Sequence, residues 1–187
     1  MRKPLIISAL AVVAIAVCTI AANTRAPQFA DPDGAVLRYA EMRAMHKTEQ
    51  VVHSGELLGI VQIPRLGLAV PYVEGDDDAP LKLGAGHITH TAFPGHHGNA
   101  GIGAHRDTCF RALRFIKPND DVVITTPAGS YDYVVTGTEV VSPDDNRVLQ
   151  KTPAKTLTLV TCYPFFYLGH APKRFIVHAV AYGSKQS

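Results

Sequence analysis

The sequence predicts an all-β domain over residues 51–187, built as a sandwich or a closed barrel. Beyond Leu57 the chain consists of short runs of β-branched and aromatic residues, each about five to ten residues long, as strands are. Gly, Pro, Asp and Asn separate the runs, and no long helical pattern lies between them. Short strands that follow one another so closely favour a sandwich or a barrel.

The composition fits one ordered domain and argues against nucleic acid as a partner. Of the 187 residues, 47% are hydrophobic and 18% are charged, which is far from the composition of a disordered chain. The net charge is only +2, and no basic stripe interleaves with aromatic residues as a nucleic-acid surface requires. We therefore look for one active site in one domain of roughly 140 to 160 residues.

The N-terminal segment predicts a membrane anchor. Residues 5–22 form an uncharged run of 18 residues, which is close to the length of a bilayer-spanning helix. Arg2 and Lys3 precede it, and basic residues favour the cytoplasmic side. We expect residues 1–4 in the cytoplasm, residues 5–22 as a single transmembrane signal anchor, and the domain outside, in the periplasm or at the cell surface.

Two alternatives remain open for this segment. A cleaved signal peptide is one, because Ala21 and Ala22 resemble the small residues at a cleavage site. The run is longer than the usual signal core of about 7 to 15 residues, which favours the anchor. Lipidation of Cys18 is the other, but Val17 before it is larger than such processing normally tolerates, so we expect Cys18 to be an apolar filler.

Residues 23–50 predict a tether followed by one amphipathic helix. The stretch NTRAPQFADPD is polar and contains prolines. From Gly34 to about Thr48 apolar residues recur at helical spacing, and Asp33 can cap the start. The helix is expected to pack one stripe against the domain.

Six runs read as strands, and one long stretch reads as a loop. The runs are LLGIVQI (57–63), LGLAVPYV (66–73), DVVITT (121–126), YDYVVTGTEVV (131–141), TLTLVTC (156–162) and RFIVHAVAY (174–182). Ala128 and Gly129 predict a hairpin between the third and the fourth run. Residues 81–99 carry four glycines and four histidines, which predicts an irregular stretch suited to be the wall of a site.

Cys162 is the first candidate for chemistry. It closes the run TLTLVT and is followed by Tyr163 and Pro164, where the chain must leave a sheet because proline cannot donate a ladder hydrogen bond. The thiol is thus expected at a strand end beside a loop. A buried small hydrophobe is the alternative interpretation. A disulfide with Cys109 is another, since both cysteines would lie in an oxidising compartment.

His105 and Arg174 are the other candidates. A histidine close to a thiol can take its proton and later protonate a leaving amine, although nine histidines make any single pairing weak. Arg174 follows Cys162 by 12 residues (174 − 162) and opens a run that can lie beside the one ending at Cys162. A guanidinium suits a developing oxyanion; an ordinary surface arginine is the alternative.

Together these segments resemble the sortase family. The chain has TLVTC for the family's TLxTC strand, AHRD for its histidine segment and RFIVHA for its arginine strand. The stretches LGIVQIPRLGLAVPYVEG and GAGHITHTAFPGHHGN extend the resemblance in the family's order, so that it covers about Leu57 to Ala181. It implies an eight-stranded barrel with short helices, with Cys162 as nucleophile, His105 as general acid and base, and Arg174 as electrostatic stabiliser.

The resemblance also implies an activity. Sortases cut an LPxTG-like sorting signal between Thr and Gly, hold the upstream protein as a thioester and pass it to an amine, here a cell-wall precursor or a pilin lysine. TLVTCYP and APKRFIVHA suggest class D, class E or a Gram-negative relative. No cofactor is implied. Two residues depart from the family: Ala104 replaces the usual Gly, and Cys109 stands where a phenylalanine is common.

The alternatives to this activity are a sortase-like module that only binds a sorting signal, and another extracytoplasmic cysteine transpeptidase or peptidase. An L,D-transpeptidase is disfavoured because its Ser-His-Gly-Cys signature is absent. A metal site is disfavoured too, since the histidines of the 81–99 stretch lack cysteine or carboxylate partners at ligand spacing. Calcium at Asp76–Asp78 is a weak alternative. The aromatic residues from Tyr163 to Tyr167 either line a substrate groove or pack in the core.

Overall fold

Eight strands close into a barrel in the computed structural model, which describes residues 52–186. The strands are β1 (Leu57–Ile63), β2 (Leu68–Glu74), β3 (Ala85–His87), β4 (Gly98–Gly103), β5 (Asp121–Thr126), β6 (Gly129–Val141), β7 (Lys155–Tyr163) and β8 (Lys173–Gln186). The helical pieces are α1 (Asp78–Leu81) and three 3-10 turns, Pro64–Leu66, Arg111–Phe115 and Asn146–Leu149. The order around the barrel is β1-β2-β3-β4-β7-β8-β6-β5, so the barrel alternative is confirmed over the sandwich.

Most neighbouring strands are antiparallel, and the two exceptions bring distant segments together. β2 and β3 pair in parallel, as do β4 and β7. A parallel pair cannot be joined by a tight hairpin, and the β4 to β7 connection contains β5, β6 and the turn at Asn146–Leu149. The parallel β4–β7 pair therefore places the end of β4 beside the end of β7.

The predicted strands are confirmed, with one correction. β1 and β5 have the bounds read from the sequence, and β5 and β6 form the predicted hairpin. The prediction of an irregular stretch over residues 81–99 is wrong near its start and at its end. β3 lies within it and β4 begins at Gly98. The glycines of these strands hid them, because glycine is depleted in most strands.

The barrel interior is the main core. Alternate side chains of a strand point to opposite faces, and on β7 Leu157 and Leu159 point inward and are fully buried. The largest buried side chains of this core include Tyr72, Tyr133, Phe110, Ile63, Ile102, Leu113 and Ile124. Burying a side chain of this size contributes roughly 1.5–3 kcal/mol, so the interior holds the strand ends in place.

A second, smaller cluster covers the outer face of β7 and β8. It joins Val141, Val148 and Ile176, with Leu149 and Val160 packed against it. Val148 and Leu149 come from the 3-10 turn at Asn146–Leu149, which folds over the sheet. On β7 and β8, Val160 and Ile176 of this cluster each lie two residues from Cys162 and Arg174, respectively.

The N-terminal predictions fall outside the described residues. These are the cytoplasmic end (1–4), the signal anchor (5–22) and the tether with its amphipathic helix (23–50). Within residues 52–186, no helix has the length and apolar character needed to cross a bilayer.

Candidate active site

Cys162 and Arg174 face each other across two antiparallel strands. Cys162 on β7 pairs directly with Arg174 on β8. Directly opposed residues of an antiparallel pair share a face and have their Cβ atoms about 4.5–5.5 Å apart. The predicted adjacency of these two runs is confirmed, and both side chains stand on the same face of the sheet.

His105 lies on the other side of Cys162, just beyond the end of β4. Gly98 pairs with Lys155 and Gly103 with Val160, a constant offset of 57 (155 − 98 and 160 − 103). The same offset carries His105 to Cys162 (105 + 57). The backbone N–H of Ala104 donates to the carbonyl of Val160 at 3.1 Å, which continues the contact past the last paired residue.

A buried hydroxyl ties the histidine segment to the cysteine strand. Thr161 Oγ1 donates to the carbonyl oxygen of Ala104 at 2.7 Å. Both residues are buried, at 2% and 6% exposure. Thr161 directly precedes Cys162, and Ala104 directly precedes His105. The bond therefore fixes the two candidate catalytic residues relative to each other, with strands about 4.8 Å apart.

The departure at Ala104 is accommodated by the core. Its side chain belongs to the buried cluster of the barrel interior. Beyond it, the backbone N–H of Phe110 donates to the carbonyl of His105 at 3.0 Å and closes the following turn. His105 thus stands at the mouth of a closed turn, half-buried, with its segment anchored on both sides.

An open pocket of about 360 Å³ contains all three predicted residues. His105, Cys162 and Arg174 line it and are each partly exposed. The remaining lining residues are Asp76, Asp78, Leu81, Ile88, Gly103, Ala104, Val160 and Thr161. The pocket thus combines an accessible thiol, an imidazole and a cation with an apolar wall and two carboxylates. The sequence did not indicate that Asp76 and Asp78 form one wall of this pocket, because the segment after β2 lies far from β7 in the chain.

Over the residues that the structure describes, two of the three guanidinium nitrogens of Arg174 remain available as hydrogen-bond donors. Its Nη1 donates to the backbone carbonyls of Lys173 at 3.1 Å and Ala171 at 3.4 Å. Among residues 52–186 the structure gives Nε and Nη2 no acceptor. Because a guanidinium remains charged and presents several N–H groups, these donors can serve an oxygen of a bound peptide.

Arg106 ties the turn after His105 to the connection between β7 and β8. Its Nη2 donates to the carbonyls of Tyr167 at 2.8 Å and Gly169 at 3.2 Å. No local signal predicts this contact, since it joins residues more than 60 positions apart.

The aromatic residues after Cys162 divide into two groups. Tyr163, Phe165 and Phe175 form a ring cluster with centroids 5.2–6.2 Å apart, and Phe165 also packs against the main core. Phe166 and Tyr167 are exposed. None of them lines the pocket. Core packing is thus the better interpretation for Tyr163 and Phe165.

Cys109 is a buried thiol with a different character. It is 4% exposed and belongs to the interior cluster. Burial raises the pKa of the Cys109 thiol, and the hydrogen bond with Thr108 only partly opposes this. Cys109 and Cys162 are both free, so the disulfide alternative is not found in the structure.

One histidine of residues 81–99, His87, makes structural contacts. His87 is buried between the Glu74 carboxylate, 3.0 Å from Nδ1, and the Thr91 hydroxyl, 3.2 Å from Nε2. Its ring stacks on Phe93 with centroids 4.3 Å apart. Asp76 accepts hydrogen bonds from Thr89. Within the described part of the chain, no group of three or more His, Cys, Asp or Glu side chains could hold a metal ion.

Known proteins resemble this chain in fold and in sequence. The Sortase domain family matches residues 61–182. Sortase D of Bacillus subtilis (strain 168) is 34% identical over 137 residues, which are 73% of this chain and 69% of that protein.

Solved structures agree. The sortase D5 transpeptidase of Clostridium perfringens has a TM-score of 0.69 at 26% identity, over 81% of this chain and 98% of that one. Sortase E1 of Streptomyces coelicolor, with a tripeptide in its active site, has a TM-score of 0.65 at 28% identity, over 71% and 91%. A barrel of this topology and a family match over most of the described residues lead to one conclusion: the chain belongs to the sortase family of transpeptidases and resembles its class D and class E members.

Proposed function

We propose that this chain cleaves an LPxTG-like C-terminal sorting signal and transfers the upstream protein to an amine, with Cys162, His105 and Arg174 as its catalytic residues. One observation carries the assignment. The three side chains lie in a row at the ends of three neighbouring strands, β4, β7 and β8, and line one open pocket. A nucleophile flanked by a proton carrier and a cation is the arrangement that acyl transfer requires.

Acylation follows from this order. Cys162 Sγ attacks the threonine carbonyl carbon of the signal, and the thiol proton passes to His105. The tetrahedral oxyanion then collapses, the Thr–Gly amide bond breaks, and His105 gives its proton to the leaving glycine amine. The product is a thioester between Cys162 and the upstream protein.

In the transfer step the acceptor amine attacks, and Cys162 becomes the leaving group. The acceptor amine attacks the thioester carbonyl carbon and gives up a proton to His105. The carbon–sulfur bond breaks, and the thiol of Cys162 is restored with that proton. The acceptor is a cell-wall precursor amine or a pilin lysine, and water would give plain hydrolysis instead.

Arg174 supplies the charge that both tetrahedral states need. Its position directly opposite Cys162 supports a role in which its N–H groups donate to the carbonyl oxygen that becomes negative. Such donors stabilise a transition state more than a ground state, because the negative charge on the oxygen develops only there.

Asp76 and Asp78 in the same pocket would attract a cationic amine to the thioester.

A peptide library tests the assignment. The full chain is incubated with LPxTG-like peptides, and mass spectrometry is used to find a thioester of the upstream fragment on Cys162. Cys162→Ala should abolish the adduct, while Cys109→Ala, which removes the buried thiol, should leave it. The proposal fails if no peptide gives an adduct while the Cys162 thiol is demonstrably reduced. Binding without an adduct would instead establish the non-catalytic module.

The pH dependence provides a second test. The reaction needs the nucleophile without its proton and the leaving-group acid with one, so the acylation rate should follow a bell-shaped profile. A rate that rises monotonically from pH 5 to 10, a range chosen to bracket histidine and cysteine titration, would contradict the pairing of His105 with Cys162.

We further propose that residues 5–22 anchor the chain in the cell membrane with the barrel on the extracytoplasmic side. The uncharged run and the preceding basic residues support this. Intact-mass measurement of the chain recovered from membranes separates the two alternatives. A mass that includes residues 1–22, together with resistance to alkaline carbonate extraction, supports the anchor. An N-terminus after Ala22 would establish a cleaved signal peptide.

A further inference from the structure

An exposed apolar surface lies beside the active site but outside its pocket. We call its four residues, Phe115, Phe166, Tyr167 and Leu168, the apolar tip. Their exposed fractions are 60%, 76%, 48% and 99%. None of the four lines the pocket that contains Cys162. Scattered single apolar residues on a surface are ordinary, whereas a contiguous group indicates a binding surface.

Arginine contacts join the three aromatic residues into one surface, and Leu168 directly follows Tyr167 in the chain. The guanidinium of Arg114 lies over the rings of Phe115, at 4.5 Å, and Phe166, at 5.3 Å. Arg106 lies 5.9 Å from the ring centre of Tyr167 and holds the backbone of the same connection through its carbonyls. Two segments that are distant in the chain, residues 105–117 and 163–173, therefore present the tip together.

The same two segments concentrate the positive charge of the protein. They contain five basic residues and one acidic residue, namely Arg106, Arg111, Arg114, Lys117, Lys173 and Asp107. Their formal charge is +4 (5 − 1), whereas the whole chain carries +2. The remainder outside these segments is therefore at −2. The two segments that present the apolar tip are thus net basic, and an anionic partner complements them.

We propose that the apolar tip docks into the interfacial region of an anionic lipid bilayer. Aromatic rings favour the headgroup level and an aliphatic side chain reaches the acyl boundary. Arg and Lys beside them contact lipid phosphates, at about 1 kcal/mol for each basic residue near such a surface. A protein groove for an acidic peptide would need walls around the tip, but Leu168 is almost fully exposed.

Docking would set the height of the active site above the membrane. Phe166 follows Cys162 by four residues (166 − 162), in the connection that leaves β7. A tip seated in the headgroups therefore holds the pocket at the bilayer surface. The proposal does not depend on the chemistry of the thiol, so Cys162→Ala should dock as the native chain does.

A single tryptophan reports docking without interference, because the chain contains none. Leu168→Trp places the probe at the tip of the full chain, which is reconstituted in nanodiscs of phosphatidylcholine alone or with phosphatidylglycerol. Ala128→Trp is the matched control. Ala128 is exposed in the hairpin between β5 and β6. The next residue, Gly129, pairs with Gln186 at the end of β8, which lies twelve residues (186 − 174) from Arg174, about 40 Å along the strand. Quenching by lipids with brominated acyl chains measures contact.

The expected result is strong quenching and a blue shift for Leu168→Trp in the anionic nanodiscs, and neither for Ala128→Trp. Adding Arg111→Glu should lower the ratio of docked to undocked protein by roughly 30-fold, since reversing one charge removes about two basic-residue contributions. Equal quenching of the two probes, or none at the tip, would overturn the proposal. A blue shift that depends on protein concentration without lipid would also overturn it, since a second copy would then cover the tip.

Discussion

Replacing Thr161 by valine should weaken both stability and acylation. The change removes the hydroxyl that donates to the Ala104 carbonyl at 2.7 Å while keeping the side-chain shape. It leaves a buried carbonyl oxygen without its donor, which costs about 1–3 kcal/mol. For a domain of this size the melting temperature should fall on the order of 3 to 12 °C.

Acylation should slow because the Thr161 hydroxyl fixes the position of His105 relative to Cys162. Without the bond, the segment that carries His105 can move relative to Cys162, and a displacement on the order of 1 Å can cost about 100-fold in rate. We expect the kcat/KM of acylation to fall about 10- to 100-fold at a temperature where the variant is folded. Stopped-flow acylation and calorimetry provide the two measurements.

Thr158→Val is the matched control. Thr158 is buried on the same strand, and its hydroxyl donates to Asn99 Oδ1 at 2.9 Å and to the carbonyl of Val148 at 3.2 Å. It should lose comparable stability with little change in acylation. If both variants lose the same stability and the same activity, or if Thr161→Val acylates normally, the hydroxyl does not position the site and the reasoning is refuted.

Three further outcomes are expected. Arg174→Lys should lower kcat for acylation about 100- to 1,000-fold, with the melting temperature nearly unchanged, since lysine lacks the forked donors. Gly95→Ala should destabilise the barrel by about 2–6 kcal/mol in urea titration, because Gly95 has φ +83° and a methyl group would collide with the Tyr131 ring. The hydrogen bond from Arg65 holds the pKa of Asp120 below its usual range. The stabilisation from this pair is present above the unfolded-state pKa and is lost as pH falls through the folded-state value. Arg65→Met should therefore be less stable at neutral pH and show a flatter loss of stability below about pH 4, measured by urea unfolding across pH.

Most strands were predictable because their composition reflects burial on a pleated surface. The runs that became β1, β5, β7 and β8 are rich in β-branched and aromatic residues, which suit such a surface. β3 and β4 were hidden by glycine. A side chain at Gly86 would collide with the backbone of Gly75, and one at Gly101 would crowd Ile88 and Leu149. Close packing at these two positions requires glycine, a residue that usually indicates a loop.

The candidate site was predictable only in part. Cys162 and Arg174 end and begin neighbouring runs, so their adjacency follows from a simple antiparallel connection. The position of His105 depends on the parallel pairing of β4 with β7, which no local pattern specifies. The Thr161 hydroxyl bond and the Arg106 contacts with Tyr167 and Gly169 are likewise long-range. Only the family resemblance connected the histidine to the cysteine before the fold was known.

His105, Cys162 and Arg174 are aligned by strand pairing rather than by the segments that connect the strands. Their spacing is set by strand pairing, so it does not depend on the length or composition of residues 88–97 and 164–172. These connections can therefore differ in length or sequence while the reacting groups keep their places. A replacement for residues 164–172 would have to keep carbonyl acceptors for Arg106, as Tyr167 and Gly169 provide here.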